Sequence, residues 1–513
     1  DAHFPQHAAR FCLEHAGLSA GDLDAVVFYE NPATKFTRVL ASTLAPFPTS
    51  VGPFIRAMKG WLSHKLFLRN EISRQLDVHP RSIHFVTHHE SHAAHAFYSS
   101  PFERAAVITV DAVGEWECTS IWVGDREQGL KQLDSIEYPH SIGLLYAAVT
   151  AFLGFSPNSG ECSTMAMSAF GQPRYVEEFE QILRIQQDGS YILEPAYFEF
   201  LSSQSVPVTS KFRALFGDPA EPGFLAGIGL LDALDEACSL PESVQHYADV
   251  AASLQVVLEK ALLALAVRAK ELSQCDALCF AGGVALNCVA NTRLAHDAPF
   301  ERMFIPTDPG DGGGSMGAAM AFSGGAIGGD TPYLGKSYNE QSTIEMVPLV
   351  EEEVWNCVGP GAATTRAPRS IRVESFEDDS ALVQRTVELL MDESVVGWIQ
   401  GRFENGPRAL GNRSLLVHPG KVGLARKISK QIKLRAPFRP YSFSVTDGDA
   451  AKVLEKSSDA ISLAWMQYTQ PVKSEYQAQL RAALHVDGTT RPQVCTEAQN
   501  PLYHQLLSSF GQA

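Results

Sequence analysis

Two glycine-rich turns, each set between an apolar strand and a helix, constrain this chain more than any other feature. ALCFAGGVALN (277–287) reads as strand, glycine turn and helix start, and MFIPTDPGDGGGSMGAAMAF (303–322) repeats that plan with a looser turn. Such turns let backbone N–H groups at a helix start approach an anion, so Gly282, Gly283, Gly310 and Gly312 are candidate phosphate contacts. A third apolar, β-branched strand, AAVITVDAVGEW (105–116), ends at Asp111 and a glycine turn. Shorter strands are predicted at 22–30, 82–87 and 394–400, with a meander through SIWVGD and GLKQLDSIEY. Helical periodicity marks 7–17, 53–76, 143–155 and 244–272. Strands alternating with helices predict an α/β architecture with its sites at the strand-end turns.

At 513 residues the chain is too long for one core, and about three domains or lobes are expected. The segment 324–375 lacks periodicity and is expected to hold the boundary. No run approaches the roughly 18 to 20 apolar residues of a membrane span, so no membrane association is expected. The nine cysteines have no paired spacing, which suits reduced thiols and a cytoplasmic setting. Cys275 and Cys279 read as core residues. The sequence opens on Asp1 in what reads as the middle of a helix, so residues upstream are expected to be missing.

Charge is distributed unevenly. The formal net charge is -17, yet residues 402–439 carry ten Lys and Arg against one acidic residue, Glu404. Arg402, Arg408, Arg413 and Arg439 sit beside Gly, Pro or Asn, where rigid turns present guanidinium forks suited to phosphate or carboxylate. Lys421 to Lys430 read instead as a solvated helix face. A small polyanion fits this pattern; a nucleic acid does not, because the rest of the chain is acidic.

A second chemistry lies in HHESHAAHAFY. His88 and His92 are four apart, which places both imidazoles on one helix face, close enough to share a metal. Asp111 and Asp311 add carboxylates at two turns, and two His with two Asp suit Fe(II), Mn(II) or Zn(II). His89 and His95 point elsewhere and are read as structural or as supports behind the metal ligands.

Taken together, HHESHAA, VDAVGE, LGFSPNSGECSTMAMSAFG, GGVALNC, DPGDGGGSMGAA, GRFENGPRALGNRSLL and KLRAPFRPYSFS resemble the O-carbamoyltransferases of the NodU/CmcH/TobZ type, in that family's order and over nearly the whole chain. The resemblance implies a two-lobed, actin/sugar-kinase-like (TsaD-like) domain over 1–355, a linker at 356–375 and a YrdC-like α/β domain over 376–513. It also implies an activity. The second domain would form carbamoyl-adenylate from carbamoyl phosphate and ATP, with Mg2+, and the first would transfer the carbamoyl group to a hydroxyl of a small-molecule natural product. Metal ligands carried over are His88, His92, Asp111 and Asp311; Gly282, Gly283 and Asn287 match the nucleotide loop. Arg408, Arg413, Lys433, Arg435, Arg439 and Ser444 match the carbamoyl-phosphate and adenylate pocket, with Arg402 beside them. Ala112 and Ser163 depart from the family's usual Gly and Lys, and strands usual at both ends of the family are expected to be missing. Competing readings are an actin-fold phosphotransferase and a non-catalytic scaffold module. A homodimer is an open expectation.

Overall fold

The computed structural model describes residues 4–44, 65–200, 206–227, 242–325, 331–338, 374–455 and 461–513, with parts of 51–61. The expected linker, 356–375, lies almost wholly outside these residues.

The core is a mixed five-stranded sheet. A parallel pair, β1 (Val26–Phe28) and β2 (Ile83–Phe85), leads into helix α1 (His88–Ser99). Next come β3 (Arg104–Val110), β4 (Glu117–Asp125) and β5 (Gly129–Glu137), an antiparallel meander as the sequence predicts. Helix α2 (Glu161–Ser168) and the long α3 (Glu242–Ser273) precede β6 (Ala277–Ala281), which returns to pair in parallel with β3. Helix α4 (Cys288–Asp297), β7 (Arg302–Phe304) and helix α5 (Gly314–Ser323) complete this part, and the sheet order is β5-β4-β3-β6-β7.

Period-two alternation sorts the central strands between two cores. Ala106, Ile108 and Val110 of β3, with Leu278 and Phe280 of β6, face α3. Ala105 and Val107, with Ala277, Cys279 and Ala281, face α1 and α5. Both faces are covered, so β6 is buried along its full length. Cys275 and Cys279 are buried and unpaired, as core residues should be.

Contrary to the sequence expectation, one stretch, Val244–Ser273, is long and apolar enough to cross a membrane by length and composition. Its place in the fold explains the composition. Leu254, Val257, Leu258, Ala261 and Leu265 are all buried against the sheet, so the helix is apolar because it is central.

The remaining residues form a smaller unit. Helix α6 (Asp379–Met391) and the C-terminal α8 (Pro501–Gln512) enclose a small core with the β8 (Val396–Ile399) and β9 (Arg413–Leu416) hairpin. Between them lie the amphipathic α7 (Val422–Gln431) and the parallel pair β10 (Ser444–Thr446) and β11 (Gln493–Cys495). This unit is stitched to the larger one by side chains. Asn291 Nδ2 donates to the Gln467 carbonyl (3.0 Å), the Thr469 N–H donates to Thr292 Oγ1 (2.8 Å), and Gln467 Nε2 donates to the Pro306 carbonyl.

Candidate metal centre and arginine pocket

Strands β3 and β6 run in parallel and end side by side, so the turns after them meet. Gly282 lets this happen: its φ is +92°, and a Cβ there would lie 2.2 Å from the Val110 carbonyl oxygen. Asp111 immediately follows β3, and Asp311 sits in the turn Asp311–Gly313 that opens α5. Helix α1 crosses the same corner, presenting His88 and His92 one turn apart.

The four side chains converge. His92 Nε2 is 3.1 Å from Asp111 Oδ2, and His88 Nε2 is 3.2 Å from that oxygen and 3.1 Å from His92 Nε2. Asp311 Oδ1 lies 3.6 Å from His88 Nε2 and 3.5 Å from His92 Nε2. A tetrahedral ion about 2.1 Å from each of four ligands would hold them about 3.4 Å apart, so these spacings fit a shared first-row divalent cation. One ligand atom from each residue lies within 4.8 Å of the others. His88 and His92 are buried and Asp111 nearly so, while the Asp311 side chain is 64% exposed.

Electrostatics favour this cluster as a cation site. Burial opposes charge on Asp111, yet the two imidazoles hold its carboxyl well below the usual range. Burial likewise opposes charge on His92, and the Asp111 and Asp311 carboxylates win, raising it to about 9. Among the described residues, Nδ1 of His88 and of His92 is buried without a hydrogen-bond partner, and Asp111 aims both rings through Nε2. His89 is tied into the core: its Nδ1 is 2.6 Å from Thr109 Oγ1, in a chain that continues to Ser120 and Trp122.

Sequence reasoning passed over Glu115. This carboxylate is 1% exposed and accepts from the His88 N–H (3.0 Å) and the Asn31 N–H (2.6 Å). It satisfies the first turn of α1 and ties that helix to the loop after β1. Its place in the VDAVGE turn was the available signal.

The predicted cationic residues separate into three groups. Arg435 and Arg439 line a cavity of about 90 Å³ together with Tyr441, Ser442 and Arg491. Its opposite wall, Cys162, Met165 and Cys288, comes from the larger unit. Arg408 lies at the same seam, 8% exposed; its Nη2 donates to Gln467 Oε1 at 3.3 Å and its Nε has no partner among the described residues. Burial, and then the like charge of Arg491, lowers the Arg408 guanidinium from its ordinary value. A buried, under-bonded guanidinium beside another cation calls for an anion. Burial, and then Arg435 and Arg439, also lowers the Lys433 ammonium.

Other predicted residues are committed elsewhere. Arg402 donates to the carbonyls of Gly335 and Leu334, stapling that segment to the smaller unit. Arg413 pairs with Glu404 at 3.6 Å and donates to the Gly406 carbonyl. Ser444 Oγ donates to Gln493 Oε1 and accepts from Tyr503. Asn287 caps α4, and its amide exchanges hydrogen bonds with Gln255. Gly283 lies against Asp111, and Gly310 and Gly312 lie in the Asp311 loop. Arg491, outside the basic cluster, was missed; only its place beside Pro492 after a glycine turn distinguished it.

Comparison with known proteins decides the family. A model described as the carbamoyltransferase N-terminus matches residues 1–320, and one described as the carbamoyltransferase C-terminus matches 387–513. The chain belongs to the carbamoyltransferase family. All four converging ligands fall in the first match and the arginines of the pocket in the second. An uncharacterized protein of Synechocystis, sll1178, is 35% identical over 99% of this chain and 83% of its own length. The nodulation protein NolNO of Sinorhizobium fredii is 28% identical over 99% of this chain and 67% of its own length. The 3'-hydroxymethylcephem-O-carbamoyltransferase of Streptomyces clavuligerus is 31% identical over 48% of this chain and 42% of its own. This carbamoyltransferase is thus of the NodU/CmcH type that its motifs resemble, and it is a transferase enzyme.

Proposed function

We propose that this carbamoyltransferase acts on a hydroxyl group and uses ATP. In this reading the arginine pocket binds carbamoyl phosphate and ATP, with Mg2+; water first cleaves carbamoyl phosphate to carbamate and inorganic phosphate, and a carbamate oxygen then attacks the α-phosphorus of ATP. Pyrophosphate leaves and carbamoyl-adenylate remains. Arg408, Arg435, Arg439 and Arg491 stabilise the phosphoryl charge that accumulates there. The hydroxyl of a small-molecule natural product then attacks the carbamoyl carbon, its proton is lost, and AMP departs. His88, His92, Asp111 and Asp311 would hold a divalent ion, Fe(II) before Mn(II) or Zn(II), which when bound supplies positive charge beside the leaving phosphate.

The observation that carries this reading is the seam itself. A buried, incompletely bonded Arg408 stands between a four-ligand cluster on one unit and an arginine-lined cavity on the other. The larger unit corresponds in this proposal to a two-lobed, actin-like domain over 1–355, and the smaller to a YrdC-like domain over 376–513. A cytoplasmic setting and a homodimer complete the proposal.

Carbamoyl-phosphate-dependent exchange between ATP and labelled pyrophosphate tests it. The wild type and Asp311→Ala should both exchange, and only the wild type should carbamoylate an alcohol from a panel of natural products. An Asp311→Ala chain that loses both half-reactions refutes the division of labour.

A further inference from the structure

We propose that Asp308 is a positioning residue that couples the two sites, so that an anion in the arginine pocket and a cation at the His88, His92, Asp111 and Asp311 cluster bind cooperatively. The proposal rests on the reading of those sites given above.

Asp308 is 5% exposed and lies between the two. On one side it supports the metal loop. The Gly310 N–H favours charge on its carboxylate, and a Cβ on Gly312 would lie 2.0 Å from Asp308 Oδ2. The turn that carries Asp311 is therefore folded directly onto this carboxylate. Its backbone carbonyl and the ring of His95, one turn along α1 from His92, both crowd Gly313, where a Cβ would lie 2.3 Å from the first and 2.2 Å from Nδ1 of the second. On the other side it meets the smaller unit. A Cβ on Gly406 would lie 3.1 Å from Asp308 Cβ and 3.2 Å from the Thr307 carbonyl, so the loop leading to Arg408 is pressed against it. Arg408 makes no ion pair within 4.0 Å among the described residues, and Asp308 is a carboxylate whose charge it feels. Burial raises the Asp308 carboxyl to about 6, against the pull of His92 and Arg408.

One negative charge thus serves two cationic neighbours. Without a metal, the field of Asp308 partly neutralises Arg408 and weakens its hold on an anion. A bound cation pulls the Asp311 turn, and with it the Asp308 carboxylate beneath Gly312, toward itself, and leaves Arg408 freer. By linkage, an anion on Arg408 must then favour the cation by the same factor. Removing the charge should separate the two effects, because it weakens support for the cation while releasing the guanidinium.

The test uses the whole chain, stripped of metal, with Mn(II) as the cation and inorganic phosphate as the anion. Free Mn(II) is read by its EPR signal, and parallel titrations at equal phosphate cancel complexation in solution. In the wild type, saturating phosphate should tighten Mn(II) binding about tenfold. In Asp308→Asn, which keeps the shape beneath Gly312, Mn(II) should bind about tenfold more weakly, phosphate should bind more tightly, and the mutual effect should vanish. Independence of the two ligands in the wild type overturns the proposal, as does a variant that loses affinity for both. Should Asp308→Asn not fold, Arg408→Gln is read instead; it should hold Mn(II) at least as tightly as the wild type, and weaker binding overturns the proposal. Pyrophosphate exchange without coupling defeats this inference alone; coupling without exchange defeats only the reaction scheme.

Discussion

His92 Nε2 lies 3.1 Å from Asp111 Oδ2, the same oxygen that His88 Nε2 approaches at 3.2 Å. One buried carboxylate oxygen therefore orders both imidazoles, whereas Asp311 reaches them from the solvent side. The two aspartates should not be equivalent. Asp111→Asn should lower metal affinity by more than about a hundredfold, exceeding the effect of losing an outer partner, and Asp311→Asn by much less. Metal content after gel filtration checks this, and equal losses in both variants would contradict it.

Glu115 supports the same helix from its N-terminus. Glu115→Gln keeps the size but cannot accept as strongly from the N–H groups of His88 and Asn31. Metal affinity should fall about tenfold with the fold retained, as outer partners of metal ligands generally contribute. Equilibrium titration with Mn(II) alongside circular dichroism separates that outcome from unfolding.

Helices α1 and α5 touch without room for a methyl group. A Cβ on Gly317 would lie 1.9 Å from the Ser91 carbonyl oxygen, so Gly317→Ala must push the helices apart. Overpacking of this kind costs about 1–3 kcal/mol. Urea unfolding should show an earlier midpoint, and an unchanged midpoint would mean that the helices yield freely.

Histidines 89 and 95 make stability depend on pH. Burial holds His89 at about 3 and His95 at about 4, both below the ordinary 6.5. At these two rings the unfolded chain therefore binds more protons than the folded one below pH 6.5, and their contribution to stability falls as pH drops from 6.5 toward 4, opposed below pH 6 by Asp308, whose carboxyl is raised to about 6. The slope is at most about 1.4 kcal/mol per pH unit for each ring. Urea unfolding of the metal-free protein at pH 7, 6 and 5 measures it, and His95→Gln should reduce the slope. A flat profile would show that these rings take up protons without resistance.

Much of the site was legible because its chemistry is local. The spacing of His88 and His92, and the carboxylates Asp111 and Asp311 at strand-end turns, needed only helical periodicity and turn grammar to be noticed. What escaped depends on approaches between distant segments. Nothing around Asp308 distinguishes it from an ordinary turn residue until Gly406 arrives from about a hundred positions away. Composition also cannot separate arginines by partner: Arg402 grips two carbonyls and Arg413 answers Glu404, while Arg408, in the same motif, makes no ion pair within 4.0 Å among the described residues. Helix α3 shows the converse. Glu259 and Lys260 interrupt its apolar run, and the fold leaves Glu259 half-buried and Lys260 exposed while the residues around them pack on the sheet.

Three of the four converging ligands are anchored in the interior, and the fourth, Asp311, is 64% exposed on a short glycine turn. Such an arrangement works like a latch on a fixed frame. An incoming ion can be captured by the frame before the latch closes, and a departing one needs only that single carboxylate to swing aside. Exchange of the metal should therefore proceed at the tempo of one side chain, leaving the scaffold undisturbed.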